Sequence, residues 1–309
     1  MSTVTSAVAR EPAPAALAAS RRRPKRPTAL LFAAPAMALY TVFTIGPLVA
    51  VFVVSTRNWT SIIAPSSFAG LANFQNMFTD AVFWQACLNT LIQLGIVIPV
   101  MLPVSFMLGY YLAKKPRGHQ VLRVVLFTPA LISLAAKSMI FLSIFSPNGL
   151  LNGVLSAVGL DKLTAPWLAD QSTALATVIA VDLWGGIGFF SILFSARLGS
   201  INAEVFEAAQ LDGAGHLRQT WQVAYPIARD YFGVLTMLQF VWELFSSAGL
   251  ILLLTKGGPG YASTTLSFLL YQKAFLNFQI GYSQAVGVVL FVVGVCGIVL
   301  IRRAFRTEY

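Results

Sequence analysis

The stretch from Cys87 to Ala113, CLNTLIQLGIVIPVMLPVSFMLGYYLA, decides the fold class of this chain. It contains no charged residue, and as a helix rising about 1.5 Å per residue it would be roughly 40 Å long. A helix needs about 20 mostly apolar residues to cross the hydrocarbon core of a bilayer. Lipid offers the backbone no hydrogen-bond partners, so an apolar run of this length must be helical. The stretch therefore predicts a transmembrane helix.

Five further apolar stretches of similar character lie along the chain. The six predicted spans are approximately 29–54, 87–113, 121–145, 173–195, 231–254 and 282–301. Pro103, Pro129 and the Gly185–Gly186 pair are expected to mark kinks or close helix packing within them. The composition agrees, because 57% of the 309 residues are hydrophobic, only 10% are charged and the mean hydropathy is +0.75, too apolar for a soluble domain. We predict an all-α, integral membrane protein with six transmembrane helices.

The positions of Lys and Arg predict how these spans are oriented. Basic residues concentrate in the N-terminal tail, between spans two and three, between spans four and five, and after span six. Cytoplasmic loops carry such an excess, so both the N- and C-termini are expected to be cytoplasmic. The net charge of +10 thus reflects topology and contact with membrane lipid. We expect no nucleic acid partner, because nucleic-acid binders gather basic residues on a polar surface.

The chain divides into a short tail and one long domain. Residues 1–28 are rich in Ala, Pro and Arg and are expected to form a disordered basic cytoplasmic tail. Residues 29–309 then form the transmembrane domain. Within it, residues 196–230 form a long, charged cytoplasmic loop, in which Ala203 to Leu211 is rich in helix formers and is followed by Gly213. By itself this pattern is equally typical of a solvated helical loop.

The same loop carries a recognisable motif. Glu207-Ala208-Ala209, three residues, Gly213, nine residues and Val223-Ala224-Tyr225-Pro226 resemble the EAA loop of ABC importer permeases, which reads E-A-A, three residues, G, nine residues, I-x-L-P. Val223 and Tyr225 depart from that pattern but remain bulky and apolar. In that family the loop forms a coupling helix held in a cleft of the cytoplasmic ATPase. The resemblance implies ATPase coupling by Glu207, Ala208, Ala209, Asp212, Gly213 and Pro226.

Other segments, in matching order and spacing, are similar to the carbohydrate permeases of maltose and glycerol-phosphate uptake systems, and to the maltose-F-like subunit in particular. These segments are Gly70-Leu71-Ala72-Asn73-Phe74, Phe83-Trp84, Asn89-Thr90, Gly149-Leu150-Leu151-Asn152, Trp167-Leu168, Thr255-Lys256-Gly257-Gly258-Pro259, Thr264-Thr265-Leu266 and Gly281-Tyr282. The resemblance implies a permease of an ATP-driven, binding-protein-dependent importer of a carbohydrate or sugar-like solute, located in the bacterial cytoplasmic (inner) membrane.

The resemblance also implies partners. They are a second, related permease subunit, two cytoplasmic ATPase subunits and an extracytoplasmic solute-binding protein. The chain itself has no G-x-x-x-x-G-K-[ST] phosphate loop, so we expect a non-catalytic pore subunit. We expect no cofactor in this chain, with ATP and Mg²⁺ bound by the partner ATPase.

Three ionisable residues, Lys137, Asp182 and Glu243, fall inside predicted spans. Each costs at least about 2.5–3.5 kcal/mol at a helix centre in lipid, so each should face protein, a partner or water. Around Glu243, Gln239, Ser246 and Ser247 recur at helical spacing and predict a polar stripe, while Trp242 is expected to point away from it. Two interpretations remain open for the three charged residues, a substrate pathway and a structural ion pair of Lys137 with either carboxylate. For Asp182, the glycines at 185 and 186 favour helix packing.

Two functions of other classes remain as alternatives. A self-contained channel or secondary transporter would not need an ATPase-binding loop, so the EAA-like motif argues against it. An intramembrane enzyme could use Asp182, Glu243 and Lys137 chemically. Such an enzyme would need His residues or clustered carboxylates at a membrane-edge site, and the sequence pattern shows none.

Overall fold

The computed structural model describes residues 26–60 and 65–306. Its helices are α1 (Arg26–Tyr40), α2 (Gly46–Ser55), α3 (Ala72–Thr79), α4 (Ala81–Ala113), α5 (His119–Leu131), α6 (Leu134–Ile144), α7 (Leu150–Ala157), α8 (Ala174–Leu198), α9 (Ala203–Leu211), α10 (His216–Arg218), α11 (Tyr225–Ser246), α12 (Ala248–Leu254), α13 (Leu266–Tyr271) and α14 (Ile280–Phe305). Shorter helical pieces are the π turns Thr41–Ile45, Gln219–Ala224 and Gln272–Leu276 and the 3₁₀ turn Asp161–Leu163. Of the predicted tail 1–28, residues 1–25 lie outside the described residues, and 26–28 begin α1.

A two-residue antiparallel ladder accompanies the helices. It joins β1 (Arg57–Asn58) to β2 (Ser67–Phe68), with Arg57 opposite Phe68. Apart from this ladder, the regular structure of the described chain is helical, in agreement with the predicted all-α class. Residues 50–306 belong to one compact unit.

Four of the described helices are long and apolar enough to cross a bilayer. They are Phe32–Ser55, α4, α8 and α14. Two further candidates are bent pairs, α5 with α6 at 97° and the continuous helix His216–Ser246 with α12 at 48°. The described residues therefore contain four candidate spans, or up to six if each bent pair crosses once. The apolar runs 121–145 and 231–254, which predicted single helices, are in fact interrupted.

Both interruptions have local causes that hydropathy does not reveal. Between α5 and α6, Ile132 takes an extended conformation, and Ser133 caps α6 by accepting the Ala136 N–H at 3.2 Å. The break therefore follows Pro129 by a few residues rather than falling on it. The bend between α11 and α12 lies at Ser247, within the small-residue run 246–249, a composition at which helices kink. Pro103, in contrast, lies within an uninterrupted α4.

The core lies where α4, α8 and α11 meet. Phe106 of α4 packs edge-to-face on Phe194 of α8 and Phe232 of α11, with ring centroids 5.1 and 5.6 Å apart. Small residues allow the helix backbones to approach. A Cβ atom at Gly109 would lie 2.6 Å from the Cβ of Phe194, and one at Gly188 would overlap the Leu126 carbonyl oxygen of α5. These glycines therefore set the spacing of α8 from its two neighbours.

The segments that resemble the carbohydrate permeases mostly act as hydrogen-bonded ties. Asn89 donates to the carbonyls of Tyr261 (3.1 Å) and Thr264 (2.8 Å), and Thr90 accepts the Leu266 N–H at 2.9 Å. These bonds attach α4 to the segment before α13. Because the backbone groups they satisfy would otherwise be unpaired in a buried position, the motif has a structural explanation.

Asn152 and Asn73 play the same part in other loops. Asn152 donates to the carbonyls of Pro147 (3.0 Å) and Ala165 (2.9 Å) and accepts the Trp167 indole N–H at 2.7 Å. Asn73 donates to two carbonyls that flank the start of the β ladder, both at 2.8 Å. The loops between spans are therefore closed by buried or half-buried asparagines.

Asp80 joins the start of α4 to the start of α14. It caps α4 by accepting the Val82 N–H at 2.8 Å, accepts the Tyr282 hydroxyl at 2.8 Å and pairs with Lys273 at 3.3 Å. Burial alone would raise the pKa of Asp80, but the hydrogen bonds from Tyr282, from the Val82 amide and from Lys273 outweigh it, so the pKa lies below its ordinary value. The carboxylate is therefore charged at neutral pH and holds the two helices together.

Candidate coupling segment and transport cavity

The helix at the EAA-like motif is α9, Ala203–Leu211, with the bounds that the sequence predicts. Asn202 caps it by accepting the Glu204 N–H at 3.2 Å. No residue of α9 is buried, and the Leu211 side chain is 91% exposed. This helix therefore lies on the surface of the described chain.

The C-terminus of α9 is closed by a glycine-dependent cap. Gly213 has a φ of +75°, a left-handed conformation that favours glycine. The Ala214 N–H donates to Ala209 and the Gly213 N–H to Gln210, both at 2.9 Å. This is the hydrogen-bond pattern of a Schellman cap, with Gly213 in the position that requires φ > 0. A Cβ atom at Gly213 would meet nothing within 4 Å, so its restriction is conformational.

Five of the six predicted coupling residues lie together on this helix and its cap. Glu207, Ala208 and Asp212 are exposed, while Ala209 is half-buried. The sixth, Pro226, is exposed in the first turn of α11, beyond the π turn Gln219–Ala224. Proline cannot donate to the turn before it, which fits the altered hydrogen bonding there. It lies apart from the exposed helix that carries the other five.

Two of the three predicted intramembrane charges border one cavity of about 310 Å³. The lining includes Lys137, Asp182, Gln239, Phe189, Phe190 and Trp242. A cavity with apolar walls and a few polar groups is typical of small-molecule sites. The polar groups here offer both a donor and acceptors for hydroxyl groups.

Glu243 lies behind this cavity rather than on its wall. Its side chain is 2% exposed, and its carboxylate accepts hydrogen bonds from the amides of Gln239 at 2.6 Å and Gln93 at 2.8 Å. The Asp182 carboxyl group is an electrostatic neighbour of Glu243. Glu243 therefore orients Gln239, which does line the cavity.

Asp182 and Lys137 remain incompletely paired within the described residues. The Oδ2 atom of Asp182 is buried there without a hydrogen-bond donor. Lys137 has no carboxylate within 4.0 Å in that part of the chain, so the structural ion pair considered above is not formed there. The Lys137 ammonium instead lies against Gly185, where a Cβ atom would come within 2.6 Å of Nζ. The glycine pair thus makes room for two side chains: that of Lys137 packs against Gly185, and that of Met101 packs against Gly186.

The rest of the predicted polar stripe lies elsewhere. Ser247 is buried at the bend after α11, 2.8 Å from the Ser267 hydroxyl, and Ser246 is exposed. Neither lines the cavity. Trp242 was expected to point away from the stripe. It does line the cavity, although its side chain is 59% exposed. The cavity therefore borders the face of α11 that carries Leu238, Gln239 and Trp242, whereas Glu243 points from a neighbouring face into the core.

Sequence reasoning missed Gln93, although a signal for it was present. Gln93 follows Asn89 by four residues in an otherwise apolar run, so the two amides share one helix face. Both side chains are buried. Gln93 donates a hydrogen bond to Glu243, and Asn89 donates to the segment before α13. A pair of amides at this spacing in a membrane helix predicts an inward face.

Comparison with solved structures supports the fold. A bacterial alginate ABC transporter in complex with an alginate pentasaccharide-bound periplasmic protein has a chain that superimposes with a TM-score of 0.79 and 22% identity, covering 92% of this chain and 98% of that one. A second crystal structure, of a bacterial ABC transporter involved in the import of alginate, gives a TM-score of 0.77. At this identity the match shows a shared fold.

Comparison with known sequences shows the family. The probable ABC transporter permease protein YurN of Bacillus subtilis is 33% identical, covering 90% of this chain and 95% of its own. The diacetylchitobiose uptake system permease protein NgcF of Streptomyces coelicolor is 32% identical, covering 91% and 84%. The family model for the binding-protein-dependent transport system inner membrane component matches residues 83–306. The chain therefore belongs to the family of inner-membrane permease components of binding-protein-dependent transport systems.

Proposed function

We propose that this chain is one of two pore subunits of an ATP-driven importer for a carbohydrate or sugar-like solute in the bacterial inner membrane. Relatives named for diacetylchitobiose, multiple sugars, lactose and sn-glycerol-3-phosphate support this solute class. The other pore subunit would be a related but different permease. In the proposed topology each bent helix pair crosses once, which makes six spans with both termini cytoplasmic.

The observation that carries the proposal is α9, a capped helix with no buried residue. An exposed helix between two spans is well placed to enter a cleft on a partner. We propose that two cytoplasmic ATPase subunits bind ATP and Mg²⁺ and that one of them holds α9. The contact would use Glu207, Ala208, Ala209, Asp212 and Gly213, where small side chains permit close approach, while Pro226 belongs to the helix that follows. A solute-binding protein would deliver the solute from outside.

Purification of the tagged chain from its native membrane in mild detergent tests this proposal. We expect the wild type to bring down an ATPase and a second permease, and Glu207→Arg to lose the ATPase, because it reverses a charge on the exposed helix. Asp161→Arg, which also reverses an acidic charge but in the 3₁₀ turn of a different loop, is the matched control and should keep all partners. Recovery of the chain alone would instead support a self-contained transporter, and identical partners in all forms would remove α9 from the contact.

We further propose that the solute passes the cavity bordered by Lys137, Asp182 and Gln239. Sugar hydroxyl groups need both donors and acceptors, and these three side chains supply them. Glu243 would act indirectly by fixing Gln239. Ser246 and Ser247 lie away from this cavity and are not included.

Replacing Glu243 with leucine tests the pathway. The change leaves the buried amides of Gln93 and Gln239 without their acceptor, a loss that costs about 1–3 kcal/mol for each unsatisfied group. We expect uptake of the solute carried by the co-purified binding protein to fall at least tenfold in proteoliposomes containing ATP. Val234→Ala, on the exposed face of α11, should leave uptake within twofold of the wild type. Equal uptake by both variants would exclude Glu243 from the pathway.

A further inference from the structure

Gln219 is a buried polar residue that joins the turn after α9 to the C-terminal end of α4. Its side chain is 2% exposed. Its carbonyl oxygen accepts the Tyr110 hydroxyl at 2.7 Å and the Lys114 ammonium at 2.6 Å, and its amide donates to the Ala214 carbonyl at 2.7 Å. Ala214 in turn closes the cap of α9 through its own N–H, on Ala209. One side chain therefore bonds to both elements.

The surrounding contacts concentrate at the same place. The ring of Phe206, from α9, lies 5.4 Å from that of Tyr110, and the ring of His216 lies 4.9 Å from it. The Lys114 ammonium lies over the Tyr110 ring at 4.7 Å and has no carboxylate within 4.0 Å in the described part of the chain. Burial lowers the pKa of Lys114. Because α9 buries no residue of its own, these few contacts determine where it sits relative to α4.

The middle of α4 reaches the transport cavity. Met101 lines the cavity and Gln93 binds Glu243. Tyr110 and Gln93 lie on the same uninterrupted helix, about 26 Å apart at 1.5 Å per residue. Because Tyr110, Met101 and Gln93 belong to one helix, a displacement applied at Tyr110 and Lys114 would reach the cavity wall through α4, past Pro103 and Pro99.

We propose that Gln219 is a positioning residue that transmits the displacement of α9 to α4, and through α4 to the cavity. This inference rests on the proposed coupling of α9 to an ATPase. A positioning role for Gln219 differs from a purely structural role in one measurable respect. Removal of the Gln219 bonds should leave the ATPase bound and active, while the cavity no longer responds to ATP.

The test follows the cavity directly and needs no identified solute. In a chain with Cys87 and Cys296 replaced by serine, Leu238→Cys places a thiol on the cavity wall. Its rate of labelling by N-ethylmaleimide is measured in the complex purified with its partners, with and without ATP plus vanadate. ATP hydrolysis is measured on the same samples. With Gln219 intact, we expect ATP plus vanadate to change the labelling rate at least threefold.

Gln219→Leu removes all three hydrogen bonds at similar size, and Gln222→Leu is the matched control, since that glutamine is exposed one turn on. We expect Gln219→Leu to keep ATP hydrolysis within twofold but to reduce the response of labelling to less than 1.5-fold. The control should retain the full response. Tyr110→Phe, which deletes a single hydroxyl group, should show an intermediate response and covers the case in which Gln219→Leu does not fold.

Two results would overturn this inference. One is an ATP response that stays at the level of the Gln219-intact complex in both Gln219→Leu and Tyr110→Phe. The other is a parallel loss of ATP hydrolysis and labelling response, which would give Gln219 a structural role alone. Failure of the proposed function would look different, because no ATPase would then accompany the chain even when Gln219 is intact.

Discussion

Gly213→Val is expected to release the ATPase and to lower solute uptake at least tenfold. The backbone at Gly213 has φ +75°, and a left-handed conformation costs a residue with a Cβ atom roughly 1–2 kcal/mol, with β-branched valine among the least tolerant. The chain would escape this strain by giving up the cap of α9, which is formed by the N–H groups of Gly213 and Ala214. The coupling helix would then lose its defined end. Co-purification of the ATPase, quantified against the permease, measures the effect.

Gly215→Val is the matched control for this change. Gly215 lies two residues on in the same exposed segment, but its φ is −68°, and a Cβ atom there would meet nothing within 4 Å. Valine should therefore be accommodated, with partners and uptake retained. If both variants lost the ATPase equally, the effect would come from added bulk in the loop. If neither lost it, the left-handed cap would have no role in coupling.

Gly188→Ala is expected to destabilise the membrane domain by about 3 kcal/mol or more, at the upper end of the cost of overpacking. The added Cβ atom would overlap the Leu126 carbonyl oxygen. Because the obstacle is backbone, no side chain can rotate away, and α5 must separate from α8. We expect loss of the monodisperse peak in size-exclusion chromatography at a temperature the wild type survives.

Gly95→Ala provides the comparison for this stability effect. Gly95 lies in α4 with nothing within 4 Å of a built Cβ atom, and alanine favours helix by about 1 kcal/mol over glycine. This variant should match or exceed the wild type in thermal stability. Similar melting of the two alanine variants would show that α5 and α8 do not pack as closely as described.

Much of the fold could be predicted because lipid allows few backbone solutions. Uncharged runs such as 87–113 must be helical, and α4 indeed covers this run and six residues before it. Hydropathy does not reveal the breaks at Ile132 and Ser247, because both sit within apolar or small-residue stretches where it does not change, and Pro129 predicts the first only to within a few residues. They depend on local capping and on packing between distant segments.

The site was predictable to different degrees in its two parts. The bounds of α9 and the glycine after it follow from local propensity and capping chemistry, which act over a few residues. Glu243 and Gln219 each have one partner within five positions, Gln239 and Ala214. Their other pairings, such as Gln93 with Glu243 and Tyr110 with Gln219, join residues more than one hundred positions apart. No local pattern specifies such pairs.

The most direct test of the central claim is cross-linking from α9 in native membranes. In the chain without its own cysteines, Ala208→Cys is coupled to a photoactivatable maleimide, and Ser156→Cys, exposed at the end of α7, serves as the control. After illumination, cross-linked products are identified by mass spectrometry. We predict that an ATPase subunit is captured from position 208 and not from position 156. Capture of no ATPase from position 208, or equal capture from both positions, would contradict the coupling role of α9.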